Sequence, residues 1–197
     1  MNLGGFAFSG GSCGKLSVVA QSGGITIEEF ERLPDALALN HELDDGELVD
    51  VSGNTPYHNR KRDLLVERLG PHVRERMLGI VISEQEFEFD GNAYAPDLAF
   101  IAAPKVHLLD PHRRVQLFVP DLAIEIVSKR DIFDKVMKKA TRYRRSGARE
   151  VWVLDGENRL AFVFSEDREA ILNEDAMFES KLIPGFSIPL TDLFDWA

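Results

Sequence analysis

The chain has 197 residues, a formal net charge of −10, 44% apolar residues and 28% charged residues. This composition is ordinary for one globular domain with a substantial core, and the acidic charge argues against tight non-specific binding to nucleic acid. No apolar run approaches the roughly 20 residues of a membrane span, the amino terminus lacks a signal-peptide pattern, and the single Cys13 favours a reducing compartment. We therefore expect a cytoplasmic protein that makes no contact with membranes.

Residues 1–24 are rich in glycine and serine, which predicts a flexible tail before one mixed α/β domain over residues 25–197. Thr26 and Glu29 form the capping box of a first helix. In the first half of the chain the predicted elements are a helix over 26–33, a hairpin over 42–52 with its turn at 45–46, a helix over 56–79 and strands over 80–89 and 94–102. A loop over 103–120 then leads to a strand over 122–127 and to a helix from the cap at 128 to 146. Strands over 150–155 and 160–164 follow, and an edge strand and a helical turn after 183 close the chain.

The most informative stretch runs from Pro120 to Asp155 and predicts a strand, a helix and a second strand joined as a parallel crossover. In the first strand Glu125 shares a face with Ala123 and Val127, so its carboxylate has apolar neighbours. An unpaired buried carboxylate is costly, and Glu125 should therefore be protonated, paired or bound to a metal. The helix beside it is strongly basic, because nine of the residues from 129 to 149 are Lys or Arg.

A second carboxylate, Asp97, follows Pro96 at the start of the preceding strand. If the two strands pair, Asp97 and Glu125 converge on one face near a strand end. Such a pair suits Mg²⁺ or Mn²⁺, which can polarise a phosphodiester, and a nearby lysine would stabilise the developing charge. The residues alone leave other interpretations open. Asp97 can simply begin a strand after proline, and Glu125 can form a structural ion pair with an arginine of the basic helix.

Several segments together resemble one family. They are ELDDGELVDVSG at 42–53, the histidine at 58, APDLAFIA at 95–102, PDLAIEIVS at 120–128, KATRYRRSGAREVWVLD at 139–155 and LIPGFSIPLTDLF at 182–194. In this order they resemble the PD-(D/E)XK restriction-endonuclease superfamily, and within it the Uma family. The resemblance covers about residues 25 to 197.

The resemblance implies a restriction endonuclease-like core in the order α-β-β-β-α-β, with a mixed central sheet flanked by helices. It implies a Mg²⁺- or Mn²⁺-dependent nuclease acting on DNA rather than RNA, with Asp97 and Glu125 as metal ligands. The superfamily lysine two residues after the glutamate is replaced here by Val127, so the resemblance assigns the catalytic lysine to Lys139 of the following helix. Glu47 or Glu42 is a further candidate ligand, and His58 a candidate phosphate contact. A homodimer is expected by analogy with nucleases that cut both strands.

Helical spacing supports the choice of Lys139 over its neighbour. Lys139 has Val136 three residues before it and Tyr143 four after it, and so borders the apolar face that packs on the sheet. Lys138 instead has charged residues at these spacings and is expected to face water or a nucleic-acid backbone. The predicted nucleic-acid contacts on that face are Lys135, Lys138 and Arg142.

Two classes of function follow from these residues. The first is a metal-dependent phosphodiesterase. The second is a catalytically degenerate nuclease fold that acts as a nucleic-acid- or protein-binding regulatory module. Asp97, Glu125 and Lys139 favour the first class, while the acidic net charge and the missing strand lysine keep the second open. Zinc hydrolases lack support because no histidines have metal-ligand spacing, and no nucleophile motif for a serine or cysteine hydrolase is present.

Overall fold

The computed structural model describes residues 24–51, 54–129 and 131–195. The helices are α1 (Ile27–Glu31), α2 (Asp35–Ala38), α3 (Pro56–Glu75), α4 (Phe133–Ser146) and α5 (Leu190–Phe194). The strands are β1 (His41–Asp44), β2 (Glu47–Asp50), β3 (Gly79–Ser83), β4 (Glu86–Phe89), β5 (Asn92–Tyr94), β6 (Leu98–Ala102), β7 (Val115–Gln116), β8 (Leu122–Val127), β9 (Glu150–Asp155), β10 (Leu160–Ser165), β11 (Glu169–Asn173), β12 (Met177–Glu179) and β13 (Ser187–Pro189). The predicted tail lies outside the described residues, apart from Gly24.

The larger of the two main sheets in the described chain has the strand order β11-β10-β9-β8-β6-β3. Strand β8 pairs antiparallel with β6 and parallel with β9, and α4 connects β8 to β9. Four strands of this sheet and the two long helices therefore come along the chain in the order α3, β3, β6, β8, α4 and β9, which is the predicted α-β-β-β-α-β order. Strands β8 and β9 have the predicted bounds.

A second sheet, in the order β2-β1-β5-β4-β7, corrects two predictions. The strand predicted over 80–89 is divided into β3 and β4, which belong to different sheets, because Glu84 takes a positive φ of 52° and turns the chain. The strand predicted over 94–102 is likewise divided into β5 and β6 around Pro96, which has no N–H for a ladder bond. The loop predicted over 103–120 contains a 3₁₀ helix, Ala103–Leu108, and the short strand β7.

Two helix ends also differ from the prediction. Helix α3 ends at Glu75, before a turn in which Met77 and Gly79 have positive φ, whereas the sequence predicts helix to residue 79. A Cβ on Gly79 would lie 2.0 Å from the carbonyl oxygen of Ile101, so only glycine fits where the chain enters β3. Helix α4 begins at Phe133 and not at the predicted cap Ser128, whose backbone N–H donates a 2.7 Å hydrogen bond to Oδ2 of Asp131 before the helix starts. Its end agrees, with Gly147 left-handed at φ 110°.

The larger sheet is covered on both faces. One face packs against α3, through Leu65, Leu69 and Val73, and against the carboxy-terminal segment. The other face packs against α4 and the second sheet, and its buried residues include Ala123 and Val127 of β8 and Tyr143 of α4. Glu125, between Ala123 and Val127, therefore points into the layer that contains α4, as strand alternation predicts. Within the described chain no helix is long and apolar enough to cross a membrane.

Candidate active site

Asp97 and Glu125 come from neighbouring strands. The register of β6 and β8 pairs Leu98 with Ile124, which puts Asp97, just before β6, opposite Glu125 on the same face. The Oδ2 atom of Asp97 accepts a 2.6 Å hydrogen bond from the backbone N–H of Ile126. This bond fixes the Asp97 carboxylate at the edge of β8, beside Glu125. The structure thus brings together the two carboxylates that the sequence predicts.

The carboxylate of Glu125 is nearly inaccessible, since the residue is 7% exposed. Its Oε1 atom accepts a hydrogen bond from the hydroxyl of Tyr143 and lies 3.1 Å from Nζ of Lys139. Burial raises the pKa of Glu125 to about 7, the charge of Lys139 opposes this shift, and the negative charges of Asp97 and Glu42 add to it. A carboxyl group that titrates near neutral pH is typical of a functional site.

Lys139 lies between two carboxylates from different sheets. Its Nζ atom is 2.9 Å from Oε1 of Glu42 on β1 and 3.1 Å from Oε1 of Glu125 on β8. Burial alone would lower the pKa of Lys139, but the charges of Glu125 and Glu42 outweigh this and hold it above its ordinary value. The ammonium group is therefore charged at every physiological pH and is directed at the carboxylate cluster.

His58, in the first turn of α3, supports Asp97 from the side opposite Ile126. Its Nε2 atom lies 3.0 Å from Oδ1 of Asp97, and the side chain is almost fully buried. Burial would lower the pKa of His58, but the hydrogen bond and charge of Asp97 raise it above 6.5. His58 thus positions the Asp97 carboxylate, and the phosphate contact that the resemblance implies for it stays a prediction.

This arrangement predicts how His58 contributes to stability at different pH values. A histidine whose pKa rises on folding contributes stability that is fully present below about pH 6.5 and is lost as the pH rises through the higher folded pKa. Because the pKa of His58 is raised in the folded protein, we expect His58→Gln to lower the melting temperature more at pH 5.5 than at pH 8.5. Thermal denaturation at both pH values measures this, with the exposed His107→Gln as the control. Equal losses would mean that the buried and unpartnered Nδ1 of His58 keeps the folded ring neutral.

Of the two glutamates that the sequence leaves open, Glu42 reaches the cluster: its Oε1 atom also accepts a 3.0 Å hydrogen bond from the Ala95 N–H, whereas Glu47 is exposed on β2 opposite Asp44. Sequence reasoning assigns no site role to Tyr143, yet its hydroxyl donates a hydrogen bond to Glu125. Its position four residues after Lys139 in a helix was the available indication.

The predicted nucleic-acid contacts lie on the outer side of α4. Lys135 is exposed, but Lys138 and Arg142 are not free: both form ion pairs with Asp44 and Asp45 of the turn between β1 and β2. The basic helix is thus partly neutralised by acidic residues of the second sheet. The charge pattern of the helix alone does not reveal this pairing.

The donor atoms of the cluster suit a hard divalent cation, because Asp97, Glu125 and Glu42 supply carboxylate oxygens. In the described part of the chain, however, no three His, Cys, Asp or Glu side chains stand in a metal-holding arrangement. The carboxylates are instead held by His58, Tyr143 and Lys139. The chemistry of the ligands therefore fits Mg²⁺ or Mn²⁺, while Lys139 supplies the positive charge between Glu42 and Glu125.

Comparisons with known proteins bear on this site. Residues 27–191 match the Uma2 family, which is described as "Putative restriction endonuclease". The structure is similar to the crystal structure of "a putative nuclease belonging to DUF820" from Anabaena variabilis ATCC 29413, with a TM-score of 0.77. That likeness covers 87% of this chain and 98% of the other at 21% sequence identity, and it confirms the predicted fold. No curated protein matches the chain significantly.

Proposed function

The chain belongs to the Uma2 family, and from this membership we propose that it is a metal-dependent nuclease that hydrolyses phosphodiester bonds of DNA. The observation that carries the proposal is the convergence of Asp97, Glu125 and Lys139 at one end of the β6–β8 pair. An acidic pair with an adjacent ammonium group suits phosphodiester hydrolysis, because the pair can hold a metal ion and the ammonium group can stabilise charge on the phosphate. We further propose a cytoplasmic location and a homodimer.

Asp97 and Glu125 would hold Mg²⁺ or Mn²⁺, with Glu42 within the same cluster. When bound, the ion would act as a Lewis acid on the phosphate and lower the pKa of an attacking water. His58 and the Ile126 N–H hold the Asp97 carboxylate at both of its oxygens, and the Tyr143 hydroxyl holds that of Glu125. The ligands are therefore fixed in place before any substrate arrives, which lowers the cost of assembling the site.

Lys139 has the role of stabilising negative charge. Its ammonium group remains protonated and lies at the rim of the cluster, with 22% of the side chain exposed. A phosphate that approached Asp97 and Glu125 would meet this ammonium group in a site of low dielectric, where charge stabilisation is strong. Lys139 is too basic to act as a general base at neutral pH, so we assign it to the phosphate and not to the water.

Nicking of supercoiled plasmid tests the proposal. The wild-type protein should nick plasmid in Mg²⁺ or Mn²⁺ and not in EDTA. Asp97→Asn should reduce the rate by about 100-fold or more, because losing even a group that only orients a metal ligand costs about 10- to 100-fold. The exposed Glu47→Gln, which lies outside the cluster, should nick at the wild-type rate. Nicking that survives in EDTA, or in Asp97→Asn at full rate, would contradict the proposal.

The second candidate is a catalytically degenerate nuclease fold that binds nucleic acid or protein. The observation in its favour is that the ammonium group of Lys139 lies between the carboxylates of Glu42 and Glu125 and neutralises part of their negative charge, as a bound metal ion would. The same plasmid experiment separates the two candidates. Binding of DNA without nicking under any metal condition would favour the degenerate module.

A further inference from the structure

The outer face of α4 is covered by a turn of opposite charge. This acidic turn, Asp44 to Gly46, connects β1 to β2. Arg142 reaches Asp44 and Asp45 at 2.8 Å each, and Lys138 reaches them at 3.2 and 3.3 Å. Four ion pairs among the described residues thus join one turn to one helix face. This is the same face on which the sequence places nucleic-acid contacts.

The backbone of the acidic turn is held without help from α4. Asp45 and Gly46 both have positive φ, 51° and 81°, as a two-residue hairpin turn requires. The Asp45 N–H donates a 2.6 Å hydrogen bond to Oδ1 of Asn92, and the Gly46 carbonyl accepts a 2.9 Å hydrogen bond from the Ile25 N–H. The turn therefore presents its carboxylates from a fixed backbone, and only side chains have to move to release the helix.

The ion pairs between the acidic turn and α4 differ in how readily a competing anion can replace the carboxylate. Arg142 and Asp44 form the inner pair, with side chains 19% and 28% exposed, and both contact the hydroxyl of Tyr94. Lys138 and Asp45 form the outer pair, with side chains 54% and 61% exposed. Exposed pairs are weak and are screened by salt, so a competing anion can replace Asp45 at little cost. The inner pair keeps Arg142 oriented while the outer pair opens.

We propose that the carboxylate of Asp45 occupies the place of a backbone phosphate on this face of α4, and that nucleic acid binds by displacing it while Asp44 keeps Arg142 oriented. Carboxylate and phosphate oxygens accept the same charge-assisted hydrogen bonds from Lys and Arg. The surface is continuous with the candidate active site, because Lys139 follows Lys138 and bonds Glu42 on the same strand as Asp44. This inference rests on the proposed function of that site.

The displacement favours polyanions over single phosphates. An anion must compete with the Asp45 carboxylate, which the turn holds beside Lys138 and Arg142, so a mononucleotide gains little. A phosphodiester chain supplies several phosphates at once and gains from each additional contact. The acidic turn would thus lower the affinity of α4 for single phosphates more than its affinity for long nucleic acid, which remains the preferred partner.

Affinity measurements on Asp45→Asn test this inference. Asparagine tolerates the left-handed backbone at this position, and Asp45 makes no contact with the buried Tyr94, so folding should be retained. Binding to a fluorescent DNA duplex in EDTA, which separates binding from cleavage, should become tighter by about fivefold, in line with the strength of exposed ion pairs. The matched control is Glu47→Gln, which removes the same charge from the same hairpin but makes no ion pair with α4.

Inorganic polyphosphate serves as a second probe, because it presents phosphates without bases. If Asp45→Asn binds polyphosphate more tightly than Glu47→Gln does but neither binds duplex, the phosphate mimicry is upheld and the proposed DNA substrate is wrong. If both variants bind both probes with equal affinity, the acidic turn is only a structural tether and the inference is overturned. A loss of melting temperature in Asp45→Asn with unchanged affinity for both probes leads to the same conclusion.

Discussion

Replacing Glu125 with Gln should abolish metal-dependent cleavage while leaving the protein as stable as the wild type, or more stable, at pH 8 in metal-free buffer. Cleavage is lost because Gln lacks the charge that a divalent cation needs. Stability is retained because burial, together with Asp97 and Glu42, raises the folded pKa of Glu125 from 4.5 to about 7. Between those values the folded state binds more protons than the unfolded state, so the free energy of unfolding falls as the pH rises. Ionising Glu125 costs on the order of 3 kcal/mol above pH 7, and Gln avoids that cost.

The difference between the folded and unfolded pKa of Glu125 also determines how the stabilities of the wild type and Glu125→Gln compare at different pH values. At pH 5 the carboxyl group of Glu125 is protonated in the folded wild type, so the two proteins should melt at similar temperatures. Glu150→Gln is the matched control, because Glu150 is also a buried strand glutamate with a raised pKa, but it is bonded to Trp152 and Ser180 away from the cluster. This control should cleave plasmid normally. If Glu125→Gln instead lost about 3–5 kcal/mol at pH 8, Glu125 would be part of a structural ion pair.

Strands β8 and β9 could be predicted closely from local sequence, and β8 carries Glu125. Strands β8 and β9 are short apolar runs buried on both faces, and each is bounded by residues that end a strand. The face of Glu125 followed from the two-residue period of a strand, and the orientation of Lys139 followed from helical spacing. Each of these inferences depends on neighbours within seven residues, so the sequence is sufficient for them.

The division of strands between two sheets could not be predicted in the same way. The prediction takes 80–89 as one alternating strand, although the chain leaves one sheet after Ser83 and enters another at Glu86. Three apolar residues at 80–82 are followed by four polar ones at 83–86, which marks a break near Glu84 but does not say which sheet each half joins. Only the partners of each strand distinguish the sheets, and those partners are distant in the sequence.

The sequence leaves the choice between Glu42 and Glu47 open for a related reason. Both glutamates belong to one hairpin, and the sequence identifies the hairpin and its turn. Which strand lies against α4 depends on the pairing of β1 with β5, at Leu43 and Ala93. That pairing brings Glu42 to Lys139 and brings Asp44 and Asp45 to the basic helix. An acidic hairpin and a basic helix were both visible, but their contact is a property of the folded chain.

Replacing Lys139 with Ala should remove turnover while metal binding is retained. Loss of the ammonium group removes charge stabilisation of the phosphate, which is expected to cost about 100- to 1,000-fold in turnover. It also leaves Glu42 and Glu125 together without their shared cation, and breaking such a pair costs about 3–5 kcal/mol in metal-free buffer. The loss of stability should be smaller at pH 5, where protonation relieves the repulsion. Added Mn²⁺ should raise the melting temperature, because a bound cation neutralises the same carboxylates.

Lys138→Ala is the control, because it removes the same charge from the next residue of α4. Lys138 is half exposed and pairs only with the acidic turn, so its loss should change stability by no more than about 1 kcal/mol. Turnover at saturating DNA should be retained, while DNA affinity weakens and its salt dependence falls by about one phosphate contact. If instead Lys138→Ala lost turnover at saturating DNA and Lys139→Ala kept it, the catalytic lysine would be Lys138, on the outer face of α4. The 3.1 Å separation between Nζ of Lys139 and the Glu125 carboxylate favours Lys139.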